Sequence, residues 1–167
     1  FYLIYFMSRF SLIFIGSFML LISIFSFFNI IFSYYFDLFL NVNNYAYTFV
    51  FSLLIGLFLI FFKNFNFRKI DIYEKVLLVI FGFLFFPLII SIPFYFNISN
   101  ISFLNCYFEA ISGFTSTGFT IFNNSIHLDQ SLLIWRSASQ WIGGLYFLFS
   151  LLLLIDIFDE NLKKSIT

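Results

Sequence analysis

A run of small and hydroxyl-bearing residues in the second half of the chain could bind a cation. Residues 113–120 read GFTSTGFT, so Thr115, Ser116 and Thr117 bring hydroxyl oxygens and Gly118 follows them directly. A potassium ion gives up its water where closely spaced oxygens replace it, and backbone carbonyls can supply those oxygens. Glycine permits the unusual backbone angles that turn such carbonyls toward one axis. The run predicts a cation-binding loop, and the alternative is an ordinary outer turn rich in Ser, Thr and Gly.

Two opposite charges flank this run at positions that hydrophobic residues otherwise dominate. Glu109 precedes it, and Arg136 follows it near the start of a long apolar segment. Charged residues at membrane depth are rare and are usually paired or functional. The sequence is consistent with a structural pair of Glu109 and Arg136 that supports the loop. In the alternative, Arg136 reaches up to the outer interface while Glu109 faces water.

The remaining polar residues give little support for catalysis. His127 is the single histidine and has no partner in the sequence that would make it a general base or metal ligand. Cys106 is the single cysteine and is interpreted as a small buried apolar residue. Asn97, Asn100 and Asn123 each begin an N-x-S triplet, which in an Asn-rich chain arises by chance. We therefore expect no enzyme activity and no covalent cofactor.

The elements that must position these residues are membrane helices. The chain is 62% hydrophobic and only 10% charged, and a soluble domain of 167 residues could not hide so much apolar surface. A spanning helix needs about 20 mostly apolar residues. Segments near that length occupy residues 10–32, 46–62, 76–96 and 132–155. The zero formal net charge gives no indication of a nucleic-acid surface.

The positive charges predict how these segments are oriented. They cluster before the first segment, between the second and third, and after the last: Arg9, Lys63, Arg68, Lys69, Lys75, Lys163 and Lys164. The loop at 34–45 and residues 76–135 contain no Lys or Arg. By the positive-inside rule, both ends and the 63–75 loop are cytoplasmic. The lipid-embedded protein is then expected in the plasma membrane, with its N-terminus inside; a bacterial inner membrane is our preferred interpretation.

The outer segment 97–131 is too polar to span the bilayer in contact with lipid. Residues 104–112 read as a short helix that ends in the Gly/Thr run, which suggests a loop re-entering the membrane. Non-helical backbone at that depth must be buried in protein or line an aqueous path. The predicted fold class is therefore an all-α integral membrane protein with four transmembrane helices plus one re-entrant pore helix and filter loop.

Two motifs at fixed spacing resemble a known family. Residues 107–120 read YFEAISGFTSTGFT and look like the pore-loop motif of Trk-type potassium transporters (the Trk/Ktr/HKT superfamily). Residues 136–144 read RSASQWIGG and resemble the R-x-x-x-Q-W-x-G-G signature of the same family. The order of elements also matches, because Pro93 closes a helix ahead of the pore segment and two further helices precede that unit. The resemblance covers nearly the whole chain.

The resemblance implies selective potassium uptake, by a symport-type ion transporter, through a filter built from four repeats. Residues 1–70 would hold two leading helices and 71–160 the first helix–pore loop–helix repeat, with 161–167 starting a cytoplasmic segment. The chain, which opens at Phe1, would be an N-terminal fragment. The implied metal site holds potassium at Ser116, Thr117 and Gly118, flanked by Thr115 and Phe119.

The resemblance also implies partners that no residue here specifies. These are the remaining three repeats, a homodimer and a cytosolic nucleotide-binding regulatory subunit. Two departures from the family pattern concern Phe119, where a small residue is usual, and Tyr146, which replaces an expected glycine. The first affects the expected width of the filter, and the second affects the expected packing of the last helix.

Two rival interpretations come from other functional classes. One is a different secondary transporter whose substrate binds at a broken helix, which would require an inverted repeat. The other is a membrane scaffold without transport activity. Further glycine-centred pore loops in the flanking coding sequence would exclude the scaffold.

Overall fold

The computed structural model describes residues 9–61, 72–98, 101–122 and 128–166, and within these it contains helices and no strands. The helices are α1 (Arg9–Tyr35), α2 (Phe39–Phe61), α3 (Ile72–Asn97), α4 (Phe103–Phe114) and α5 (Gln130–Ile166). Helices α1 and α2 form an extensive antiparallel pair, while α4 lies between α3 and α5. The core forms where α1, α3, α4 and α5 meet.

Four helices are long and apolar enough to cross a membrane. The spans are Phe10–Tyr35, Asn41–Phe61, Ile72–Asn97 and Gln130–Ile155. Many large apolar side chains on them are exposed, including Phe28, Leu54 and Leu77. Lipid accepts such surfaces without the cost that water would impose. The four predicted spans are confirmed, whereas α4, with 12 residues, is too short to be one of them.

The connection between α1 and α2 is much shorter than the predicted loop at residues 34–45. A tight turn at Asp37, which has a φ of 57°, joins the helices, and α2 already begins at Phe39. Asn41, near the start of α2, binds one residue just before α5 and one in its first turn. Asn41 Nδ2 donates to Asp129 Oδ2 at 3.1 Å and to Ser131 Oγ at 2.9 Å. Because its amide is satisfied by tertiary contacts, Asn41 continues a helix where the sequence resembled a loop.

Helix α3 supports its neighbours through its backbone. It runs through Pro87 and Pro93 to Asn97, so Pro93 does not close it as predicted. A proline removes its own N–H from the helix and crowds the carbonyl four residues before it. Membrane helices nevertheless tolerate proline where neighbouring groups satisfy the freed carbonyls. Three aromatic donors on α4 and α5 reach its carbonyls: Tyr107 Oη to Leu84 O at 2.9 Å, Trp135 Nε1 to Ile90 O at 2.9 Å, and Tyr146 Oη to Leu78 O at 2.9 Å. The positions of α4 and α5 are therefore both fixed relative to α3.

Candidate functional site

Helix α4 is slightly longer than predicted, extending over Phe103–Phe114 instead of residues 104–112. Ser102 caps its first turn, with its side chain accepting from the Asn105 N–H at 3.4 Å. The buried face carries Cys106, Glu109 and Gly113, while Phe108 is exposed. The helix therefore presents a carboxylate toward the protein interior, and its last turn leads directly into the Gly/Thr run.

The end of α4 is closed by a Schellman motif. The Thr117 N–H bonds Ser112 O at 3.1 Å, and the Ser116 N–H bonds Gly113 O at 3.0 Å. Ser116 adopts the left-handed conformation, with a φ of 55°, at the position where glycine is usual. The motif ends the helix abruptly and reverses the chain, so that residues 115–120, which we call the 115–120 loop, run back beside α4.

Glu109 anchors the far end of this loop. Its side chain is 0% exposed, and its carboxylate accepts hydrogen bonds from Thr120 Oγ1 at 3.1 and 3.2 Å and from the Ile121 N–H at 3.1 Å. Arg136 Nε lies 3.0 Å from Glu109 Oε1, an ion-pair contact without the alignment of a hydrogen bond. The two charges that flank the loop in sequence therefore meet in space. The carboxylate also holds Thr120 and Ile121 at the end of the loop.

The Phe119 carbonyl is bound on the inner side of the loop. It accepts from Ser112 Oγ at 2.6 Å and from Arg136 Nη2 at 3.3 Å. Ser112 Oγ also lies 3.2 Å from Thr117 Oγ1. Ser112 is buried, so this contact lies behind the loop as seen from its exposed side. The Phe119 carbonyl oxygen is thus turned into the protein, while its ring is 69% exposed.

The opposite side of the loop is unpartnered. Within the described part of the chain, the carbonyl oxygens of Thr115, Ser116, Thr117 and Gly118 accept no hydrogen bond. All four residues are exposed. Gly118 has a φ of +79°, and a Cβ there would meet nothing within 4 Å. Its glycine is therefore required by backbone conformation and not by close packing.

The second motif brings α5 against the end of α4. A Cβ at Gly143 would overlap the backbone of Phe114, including its carbonyl, so the two helices touch without an intervening side chain. Gly144 differs, because a Cβ there would meet nothing within 4 Å. It lies beside the exposed Trp141 on the outer face of the chain. Of the two motif glycines, only Gly143 is needed for the close contact between α5 and the end of α4.

The other candidates from the sequence form no site within the described residues. Cys106 is buried, and burial raises the pKa of its thiol. Asn97 Oδ1 accepts from Asn44 Nδ2, while its own buried Nδ2 lacks a partner. Asn100, Asn123 and His127 lie outside the described residues. The described ranges contain no group of three or more His, Cys, Asp or Glu side chains that could hold a metal ion.

Sequence reasoning missed the residues that hold the loop from behind. Ser112 was predicted as the end of the short helix and Thr120 as the end of the Gly/Thr run, and only the fold reveals that they bond the Phe119 carbonyl and the Glu109 carboxylate. Helical spacing offered one available signal, because Ser112 follows Glu109 by three residues and therefore shares its face.

Short segments of the chain match known transporters. An uncharacterized cation transporter from Methanocaldococcus jannaschii is 43% identical over 54 residues, which is 32% of this chain and 11% of that protein. The Trk system potassium uptake protein TrkI of Halomonas elongata is 36% identical over 55 residues, 33% of this chain and 11% of that protein. No protein-family model matches the chain. No solved structure matches it either. The chain is thus similar to cation transporters over about a third of its length, and the matched segment spans about a tenth of each relative.

Proposed function

We propose that the chain contributes one of four repeats to the selectivity filter of a potassium uptake transporter. The observation that carries the proposal is the exposed side of the 115–120 loop, where four successive carbonyl oxygens accept no hydrogen bond within the described residues. Unsatisfied carbonyls in lipid would each cost several kcal/mol. A desolvated cation on the axis of an assembled filter satisfies them instead.

The geometry divides the expected filter residues into two groups. Thr115, Ser116, Thr117 and Gly118 keep their carbonyls available and supply the ion ligands. The Phe119 carbonyl already accepts from Ser112 and Arg136, so its role is to hold the loop. The exposed ring of Phe119 then lies at the outer end of the ligand set.

Helix α4 acts in this proposal as a re-entrant pore helix. Its 12 residues extend about 18 Å at 1.5 Å per residue, which is shorter than the hydrocarbon core of about 30 Å. Its C-terminal end, the negative end of the helix dipole, leads into the loop and would stabilise a cation by about 0.3–1 kcal/mol. Potassium is the cargo, the N-terminus is cytoplasmic, and a membrane potential that is negative inside draws each potassium ion inward by about 2.3 kcal/mol per 100 mV.

The partners of this repeat follow from the family resemblance. They are the lipid bilayer, three further repeats, a second copy of the transporter and a cytosolic nucleotide-binding regulatory subunit. The partial matches to a cation transporter and to a potassium uptake protein support the transport function on which these partners depend. The rival with a broken-helix substrate site has less support, because in this chain the non-helical backbone follows a short helix and does not interrupt a spanning one.

The decisive experiment replaces Gly118 with serine in the transporter that contains this repeat. At a φ of +79° a serine is strained, so the backbone should rotate and turn a carbonyl away from the ion. We expect the K+/Na+ uptake ratio to fall about tenfold, equivalent to about 1.4 kcal/mol of lost preference. Thr117→Ala should act more weakly, because its backbone oxygen remains.

The matched control is Ser137→Ala, which removes a hydroxyl that bonds Leu133 O within its own helix. Its ratio should equal that of the unmodified protein. If Gly118→Ser inserts normally and keeps the original ratio, the loop does not form the filter. Poor expression with unchanged selectivity would instead indicate a glycine that serves only the turn.

A further inference from the structure

The side chain of Tyr146 on α5 fills the space beside Gly82 on α3. The Tyr146 side chain is 0% exposed, and its hydroxyl lies 2.9 Å from Leu78 O and 3.0 Å from Val79 O, so one proton is shared between two carbonyls of α3. A Cβ at Gly82 would overlap both the hydroxyl and the ring. The tyrosine therefore fits only because residue 82 has no side chain.

The same tyrosine reaches the last residue of α4. Its ring centroid lies 5.6 Å from that of Phe114 and 5.2 Å from that of Phe86 on α3. Phe18 of α1 meets it edge-on at 5.0 Å. Tyr146 therefore touches three other helices, and one of its contacts is the residue that directly precedes the 115–120 loop.

Gly143 adds a second contact between α5 and the end of α4. It lies three residues before Tyr146, which places both on one face of α5. Gly143 abuts the Phe114 backbone while Tyr146 packs on the Phe114 ring. A shift of Tyr146 toward or away from α3 must therefore move the end of α4, because a closely packed interface has no slack to absorb it.

We propose that Tyr146 and Gly82 form a size-matched pair that sets the position of the end of α4, and that Tyr146 is thereby a positioning residue for ion selection. The ion-selection part rests on the proposed function. The pair also accounts for the departure at residue 146 from the glycine that the family resemblance implies. The large side chain lies on α5, and the space for it is left by the glycine on α3.

The first experiment tests the pair without any transport. Gly82→Ala, Tyr146→Leu and the double variant are compared by thermal unfolding of the chain in detergent. Gly82→Ala alone should lower the midpoint by about 5 °C, since overpacking a filled site is destabilising. In the Tyr146→Leu background, Gly82→Ala should lower the midpoint by no more than half as much, because leucine vacates the space that the new methyl needs. Gly144→Ala, with open space around it, is the control and should leave the midpoint unchanged. Additive losses would overturn the pair.

The second experiment measures the K+/Na+ uptake ratio in the complete transporter. Tyr146→Phe keeps the ring and removes the hydroxyl contact with α3, and the ratio should fall about threefold, somewhat less than the tenfold that 1.4 kcal/mol produces. Tyr45→Phe is the matched control, because Tyr45 is also fully buried but its ring packs against Trp135 of α5 and not against the last residue of α4. Its ratio should not change.

The outcomes separate the two proposals. If the unmodified transporter shows no potassium preference, the proposed function and the ion-selection role both fall, and the unfolding cycle alone decides whether the pair exists. If the unmodified transporter is selective and both Tyr146→Phe and Gly82→Ala keep its ratio, the positioning role is wrong while the proposed function stands.

Discussion

The two sides of the 115–120 loop differ in how their polar groups are satisfied. On the inner side, the Phe119 carbonyl accepts from Ser112 and Arg136, and the Ile121 N–H donates to Glu109. On the exposed side, the carbonyls of residues 115–118 accept no hydrogen bond within the described chain. Buried polar groups are normally satisfied, so the inner side has the character of a structural interior. The exposed side has the character of a binding surface.

Under the proposed function, the inner side of the loop determines its shape and the exposed side binds the ion. Changes on the inner side should lower stability first and alter selectivity as a consequence. Changes on the exposed side, such as Gly118→Ser, should alter selectivity with little loss of stability. The following variants test that separation, beginning with the largest expected effect.

Removing the Glu109 carboxylate should be the most damaging change. Glu109→Ala leaves the Thr120 hydroxyl and the Ile121 N–H without their acceptor and Arg136 without its counter-ion, and breaking one partner of a buried pair costs about 3–5 kcal/mol. The free energy of unfolding in detergent measures the loss. Glu109→Gln, which keeps one acceptor oxygen, should cost less.

Replacing Arg136 as well gives a double-mutant cycle for the ion pair. Arg136→Ala should also be destabilising, and the double variant should lose less than the sum of the two single losses. Additive losses would show that the ion pair contributes nothing to holding the inner side of the loop.

Adding a methyl group at Gly143 should have the next largest effect. The new Cβ would overlap the Phe114 backbone, which cannot move aside as a flexible side chain could, and overpacking of this kind costs about 1–3 kcal/mol. Gly144→Ala provides the adjacent control and should stay within about 0.5 kcal/mol of the unmodified chain. Equal effects at the two glycines would contradict the assignment of Gly143 to the end of α4.

The smallest effect is expected at Ser112. Ser112→Ala removes one donor to the Phe119 carbonyl, and the net loss should be about 1 kcal/mol because Arg136 still donates to that oxygen. Unfolding measurements should reveal this loss, with Ser137→Ala as the control. A neutral Ser112→Ala would assign the inner side of the loop to Glu109 and Arg136 alone.

The sequence predicted the four long apolar helices and the break in helix after residue 114 well, because both depend on local sequence. Twenty apolar residues define a membrane helix regardless of its neighbours. The Gly/Thr run is recognisable because its residue types follow one another directly. The predicted start of α2 was wrong because it depends on contacts distant in sequence. Asn41 looks like a loop residue until Asp129 and Ser131 are placed beside it.

The helix contacts that fix the loop could not be predicted in the same way. Tyr146 read only as a departure from an expected glycine, and Gly82 as one small residue in a spanning helix. Their fit depends on how α3 and α5 lie against each other, which neither hydropathy nor spacing specifies. The ion pair was easier to anticipate, because buried charges of opposite sign have few alternatives.

The bonds that shape the loop also bear on the order of biosynthesis. Every partner on the inner side, from Glu109 to Arg136, lies within one short stretch of chain. Contacts between residues close in sequence form early, because little chain entropy is lost in closing the connection. The loop can therefore take its final form as soon as α5 has entered the bilayer. The ion pair and the hydrogen bonds that shape the loop are all made within residues 109–136, so they need no segment that is synthesised after α5.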